Sequence, residues 1–174
     1  MTGMTTISRI DPPFAADESA MLHSWLDYHR ATLALKCEGL TDDQLRERSV
    51  EPSSLSLLGL VRHMAEVERH WFQAVLDGVD LGEQGLYWTK EDPDGDFDNV
   101  ATGDVAADFA AWREQVELAR RSAAGVPLDA VGKGLRRGEE VTLRWILIHM
   151  IEEYARHNGH ADLLRERIDG ATGE

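Results

Sequence analysis

The apolar positions along this chain fall into four long stretches with helical spacing, each a stripe that can turn one helix face toward a core. In the first, Met21, Leu22, Trp25, Leu26, Leu33 and Leu35 predict a helix over about residues 17–38. Thr41, with Gln44 three positions on, has the form of a capping box opening a short helical piece in TDDQLRERS. The second long helix starts near Ser54 or Ser56. It carries Leu57, Leu58, Leu60, Val61, Met64, Val67, Trp71, Phe72 and Val75, and stops at Gly78. The third runs from Thr102 or Asp104 to about Ala124 on Val105, Phe109, Trp112, Val116 and Leu118. The fourth runs from Thr142 to about Ile168 on Leu143, Ile146, Leu147, Met150, Ile151, Tyr154 and Leu164. Gly159 interrupts it, at a cost of up to about 1 kcal/mol relative to alanine.

Two segments lack this periodicity. GVDLGEQGLYWTKEDPDGDFDNVATGD is rich in Gly and Asp and predicts a crossover of about 25 residues, a length that in compact domains is uncommon and often functional. Its Tyr87 and Trp88 are expected as core plugs rather than pocket walls. GVPLDAVGKGLRRGEE predicts a second loop with some extended structure. No set of alternating strands is present, so the fold class is all-α, a four-helix bundle with a long crossover loop. The organisation expected is an N-terminal extension over residues 1–16, the bundle over 17–170 and a tail over 171–174.

Composition narrows the chemistry. A chain of 174 residues, 43% of them hydrophobic, suits one core. With 32 acidic and 18 basic residues the formal net charge is −14, which repels phosphate backbones and makes nucleic acid and anionic membrane poor partners. The single cysteine, Cys37, excludes an internal disulfide and a cysteine-based zinc site, and fits a reduced, cytoplasmic chain. It is expected to be a half-buried structural residue. The N-terminus has no signal-like apolar run, and no segment reaches the roughly 18 apolar residues of a membrane span.

Polar residues inside the apolar stripes carry the candidate chemistry. On the fourth helix, HMIEEYARHNGH sets His149, Glu153, Arg156, His157 and His160 within a sector of about 100°. Glu153 and His157 are spaced i, i+4 and project one turn apart, a spacing that lets both bind one ion. The second helix, in LVRHMAEVERHW, sets His63 among Leu60, Val61, Met64 and Val67, with His70 seven residues on and Glu66 between. Opposed across a bundle, His63, Glu153 and His157 make a three-donor N,O set suited to a divalent metal with an open position. Spacing alone leaves a second reading open, of satisfied core histidines and a surface glutamate. Other motifs are absent: there is no His-Glu-x-x-His, no Glu-x-x-His on either helix, no Gly-x-Ser-x-Gly and no phosphate-binding loop.

The stretches SLLGLVRHMAEVERHWF and HMIEEYARHNGHADLLRE, with EGLTDDQL upstream, resemble the DinB/YfiT-like metalloenzyme superfamily, in particular its actinobacterial DinB-like branch. The resemblance spans about residues 17–170. It implies an up-down-down-up bundle with a divalent metal at one end. Typical members supply one histidine from the second helix and a His-x-x-x-His pair from the last; here Glu153 stands where the first histidine of that pair would be. The similar mycothiol-dependent maleylpyruvate isomerases use a His, Glu, His set, and by that likeness His63, Glu153 and His157 are the implied ligands. Zinc is the implied ion, with nickel, manganese and iron open. His149 is expected as an outer partner of Glu153, His160 as an outer or structural residue, and Arg156 as the surface partner of Glu152. The implied activity is thiol-dependent S-transfer or isomerisation on a small-molecule substrate, with mycothiol as co-substrate and the metal making the thiol a thiolate. Two alternatives are a non-catalytic metal- or small-molecule-binding bundle and a hydrolase using metal-bound hydroxide. Bundles of this family pair through helix faces, which makes a homodimer a candidate assembly.

Overall fold

The computed structural model describes residues 8–173, so Met1–Ile7 of the expected extension and Glu174 of the tail lie outside the described residues. Six α-helices follow in order: α1 Glu18–Cys37, α2 Asp42–Arg46, α3 Leu57–Glu68, α4 Gly95–Asp98, α5 Val105–Ala123 and α6 Leu143–Asp169. There is no strand among the described residues, only two isolated bridges in the last loop. The helix starts are held by short polar side chains. Asp17, Ser56, Asp104 and Thr142 each accept a bond from a backbone N–H of the first turn. Thr41 and Gln44 close the reciprocal capping box at α2. Gly170 ends α6 in the left-handed conformation at φ 75°. Gly159 does not interrupt α6, because its missing side chain faces open space and the hydrogen-bond ladder runs through it.

The second long helix differs from its expected form. It is α-helical only to Glu68, and Arg69–Leu76 continues it as a π-helix. Such widened turns are rare and occur often at functional sites. One buried polar network accompanies the change and joins all four long helices. Arg30 of α1 donates from Nε and Nη2 to the two carboxylate oxygens of Glu68, each at 2.7 Å. The Tyr154 hydroxyl of α6 donates to Glu68 Oε1 at 2.8 Å, and Trp112 Nε1 of α5 donates to that hydroxyl at 2.9 Å. Glu68 is wholly buried, at 0% exposure. Around the network lies an apolar core that includes Leu26, Leu33, Leu60, Met64, Phe72, Leu147 and Met150.

The crossover is more structured than a plain loop. It contains α4 and a 3₁₀ turn at Val100–Thr102, and it is clamped to α3 along its length. Arg62 of α3, held by Asp108 of α5 at 2.7 Å, donates to Asn99 O of the crossover at 2.9 Å and lies over the Tyr87 ring. Glu66 accepts the Tyr87 backbone N–H at 2.7 Å, and burial pushes the Glu66 carboxyl above its usual value. Phe97 packs on Gly59, where an added Cβ would stand 3.0 Å from its ring. These contacts fix the crossover beside the His63 turn of α3.

Candidate metal centre

His63 reaches out from α3, and Glu153 and His157 from α6. Each offers one donor atom, and these atoms all lie within 4.8 Å of one another. The structure therefore brings together the three residues that the sequence singles out. The His63 and His157 rings meet edge-on with centroids 4.8 Å apart. Glu153 Oε2 is 3.5 Å from His157 Nε2. The His157 side chain, against partial burial and with help from His149 and His63, holds the Glu153 carboxyl below its usual value, so it stays anionic near neutral pH.

Each of the three has an outer partner. His63 Nδ1 is 2.9 Å from Asp96 Oδ2, which leaves Nε2 as the donor toward the cluster. Phe97 stacks on the same ring at 5.0 Å, so α4 grips His63 from two sides. His149 Nε2 is 3.3 Å from Glu153 Oε1, one turn back on α6. His160 Nδ1 is 3.3 Å from His157 Nδ1, and burial followed by the neighbouring His157 and Arg156 holds the His160 pKa down. A carboxylate behind a ligating histidine fixes its tautomer and raises its basicity, the usual second layer of a metal site. Asp96 escapes sequence reasoning, because it lies 33 positions from His63 on an acidic crossover with no periodic signal. Glu152 turns to His149, at 3.4 Å, rather than to Arg156.

A cleft of about 690 Å³ opens from His63 and Glu153 along the π-helical segment. Trp71, Trp88, His70 and Arg136 line it. Trp88 is thus a pocket wall, contrary to its expected place in the core, while half-buried Tyr87 packs against the core. Trp71, Trp145 and His149 form a continuous aromatic cluster, with Trp145 stacked on His149 at 5.0 Å.

Cys37 lies apart from this cleft. It is fully buried rather than half-buried, and burial pushes its thiol up to about 12. The chain's one thiol is therefore no nucleophile near neutral pH. Cys37 is expected to resist iodoacetamide at pH 8 in the folded protein and to react once unfolded. Rapid native alkylation, read by intact mass, would contradict its burial.

A helical domain with an open His/Glu/His cluster at the mouth of an aromatic cleft defines a candidate metal-dependent enzyme. A family model described as Mycothiol-S-transferase matches residues 21–170, and the chain belongs to that family. No curated protein matches the chain. No helix among the described residues is long and apolar enough to cross a membrane.

Proposed function

We propose that this chain is a divalent-metal-dependent mycothiol S-transferase in which His63, Glu153 and His157 hold the ion. The observation that carries this reading is the convergence of the three donors beside an open cleft, in a chain of the Mycothiol-S-transferase family. The donor set fits a divalent transition ion: two imidazoles and one carboxylate leave a coordination position free, and zinc is the first ion to test. The cation supplies one thing, which is to make a thiol acidic enough to react as its thiolate at neutral pH. The remaining work belongs to the chain. Asp96 holds the His63 tautomer, His149 orients the Glu153 carboxylate, and His160 braces His157. Trp71, Trp88 and His149 line the cleft and exclude water from one side of it. The up-down-down-up order of the four long helices, the cytoplasmic setting and pairing into a homodimer belong to the same reading.

The test is turnover of monobromobimane by metal-loaded protein with mycothiol, in which sulfur displaces bromide. The rate is expected to saturate with mycothiol and to vanish on chelation. A metal-loaded protein that never exceeds the uncatalysed rate would overturn the proposal.

Asp96→Asn keeps the shape of the partner to His63 and removes its charge. It is expected to weaken metal binding roughly 10–100-fold, the usual cost of losing an outer partner. Competition with a chromophoric chelator measures this. Unchanged affinity would mean that Asp96 only braces α4.

A further inference from the structure

Arg136 is placed in the cleft by a chain of backbone devices. Residues 132–134 run against the open end of the π-helical segment, where Lys133 N and Gly134 N donate to Leu76 O and Val75 O at 3.0 and 2.9 Å. Only glycine permits this approach, because a Cβ at Gly132 or Gly134 would collide with the carbonyl oxygens of Val75 and Ala74. Beyond this anchor, Arg136 and Glu139 exchange both backbone hydrogen bonds, at 2.9 and 3.0 Å, around Arg137 and Gly138. Those two central residues sit at φ 54° and 84°, the pattern of a tight type I′ hairpin. A non-glycine residue at positive φ is uncommon and persists where its surroundings over-determine it, which is frequent at ligand clamps.

The hairpin sets the Arg136 guanidinium over the Trp71 ring, 5.6 Å from its centroid. Trp71 meets His149 edge-on at 4.7 Å, and His149 touches Glu153 at 3.3 Å. Direct contacts therefore lead from Arg136 to the candidate metal ligand, along one cleft.

Arg136 has no carboxylate partner and no side-chain hydrogen bond among the described residues, although it is half-buried in a chain of net charge −14. The other sequestered arginines differ. Arg30, Arg46, Arg62, Arg144 and Arg165 each hold a carboxylate, Arg9 donates to the Thr32 hydroxyl, and Arg69 in the same cleft points at the carbonyls of Leu81 and Gln84. A preorganised guanidinium with free donors suits a planar carboxylate, which it can bind through two parallel bonds. Mycothiol does not supply one. Its cysteine is amide-linked and N-acetylated on a neutral pseudo-disaccharide, so the thiol partner carries no free carboxylate.

We propose that Arg136, stacked on Trp71, binds a carboxylate of the electrophilic acceptor, so that the cleft selects anionic acceptors over neutral ones. This rests on the thiol-transfer reading above. With the fumarate esters used as probes below, the sulfur bonds to the β-carbon and the C=C electron pair moves to the α-carbon, which takes up a proton. The thiol proton goes to solvent, and nothing is oxidised.

The test compares monoethyl fumarate, which carries one carboxylate, with neutral diethyl fumarate. Metal-loaded wild type, Arg136→Gln and Arg136→Lys are assayed with mycothiol, each rate corrected for the uncatalysed reaction. Arg136→Gln is expected to lower kcat/KM for the anionic acceptor about tenfold or more, the scale of a lost charged hydrogen bond, and to leave the neutral acceptor within about twofold. Arg136→Lys should recover part of the loss. An equal fall for both acceptors, or no fall for either, would overturn the proposal. Absence of thiol-dependent turnover with either acceptor would count against the thiol-transfer reading itself. Binding of unreactive monoethyl succinate, followed by tryptophan fluorescence, then decides the subsite. Weaker binding to Arg136→Gln by about tenfold, with diethyl succinate unaffected, supports it. No binding, or equal binding to both proteins, sinks it.

Discussion

Glu153→Ala is expected to abolish stoichiometric binding of a divalent ion at micromolar free metal, and His157→Ala to do the same, with the helical fold retained in both. Each replacement removes one of three donors whose atoms lie within 4.8 Å of one another. The loss should exceed the roughly 10–100-fold cost of removing an outer partner, because a two-donor remnant no longer encloses the ion. Neither side chain belongs to the apolar core, so stability should change by no more than about 1–2 kcal/mol. Calorimetric titration with zinc, beside far-ultraviolet circular dichroism, reads both effects. Full stoichiometry and unchanged affinity in either variant would remove that residue from the ligand set.

Glu68→Ala should have the largest effect on stability. The carboxylate is wholly buried and neutralises Arg30, itself 5% exposed, while accepting the Tyr154 hydroxyl. Removing it leaves the buried guanidinium with only half-exposed Asp27, at 2.9 Å, as a carboxylate partner and orphans the phenol. The expected loss is about 3–5 kcal/mol, the range for breaking one partner of a buried pair. Replacing both charges, as Arg30→Met with Glu68→Leu, should recover much of that loss, since the desolvation penalty falls on both ions together. Urea unfolding measures both. A Glu68→Ala protein within about 1 kcal/mol of wild type would show that the network is not a structural tie.

Some of this architecture is written locally in the sequence and some is not. Helix starts depend on one side chain and the N–H two or three residues on, so Ser56, Asp104, Thr142 and the Thr41–Gln44 box mark their helices without tertiary information. Glu153 and His157 belong to one helix, and their common face follows from its period. The π-helical segment is different, because its apolar positions Trp71, Phe72 and Val75, spaced i, i+1 and i+4, share one face under either helical period. Asp96 reaches His63 from the one-turn helix α4, and Arg136 reaches the cleft from a loop; their places depend on glycine-permitted docking and a tight hairpin rather than on periodicity. Tyr154 counts as apolar in the stripe of α6, yet its hydroxyl joins the buried network, a role that only the approach of Glu68 and Trp112 gives it.

X-ray absorption on the zinc-loaded protein, with and without mycothiol, tests the central claim most directly. Without thiol, the zinc edge should show a first shell of nitrogen and oxygen only, consistent with two imidazoles and a carboxylate. With mycothiol, one sulfur scatterer should appear at about 2.3 Å, the usual zinc–thiolate distance. A first shell that keeps only nitrogen and oxygen at saturating mycothiol would contradict a metal-activated thiol at this site.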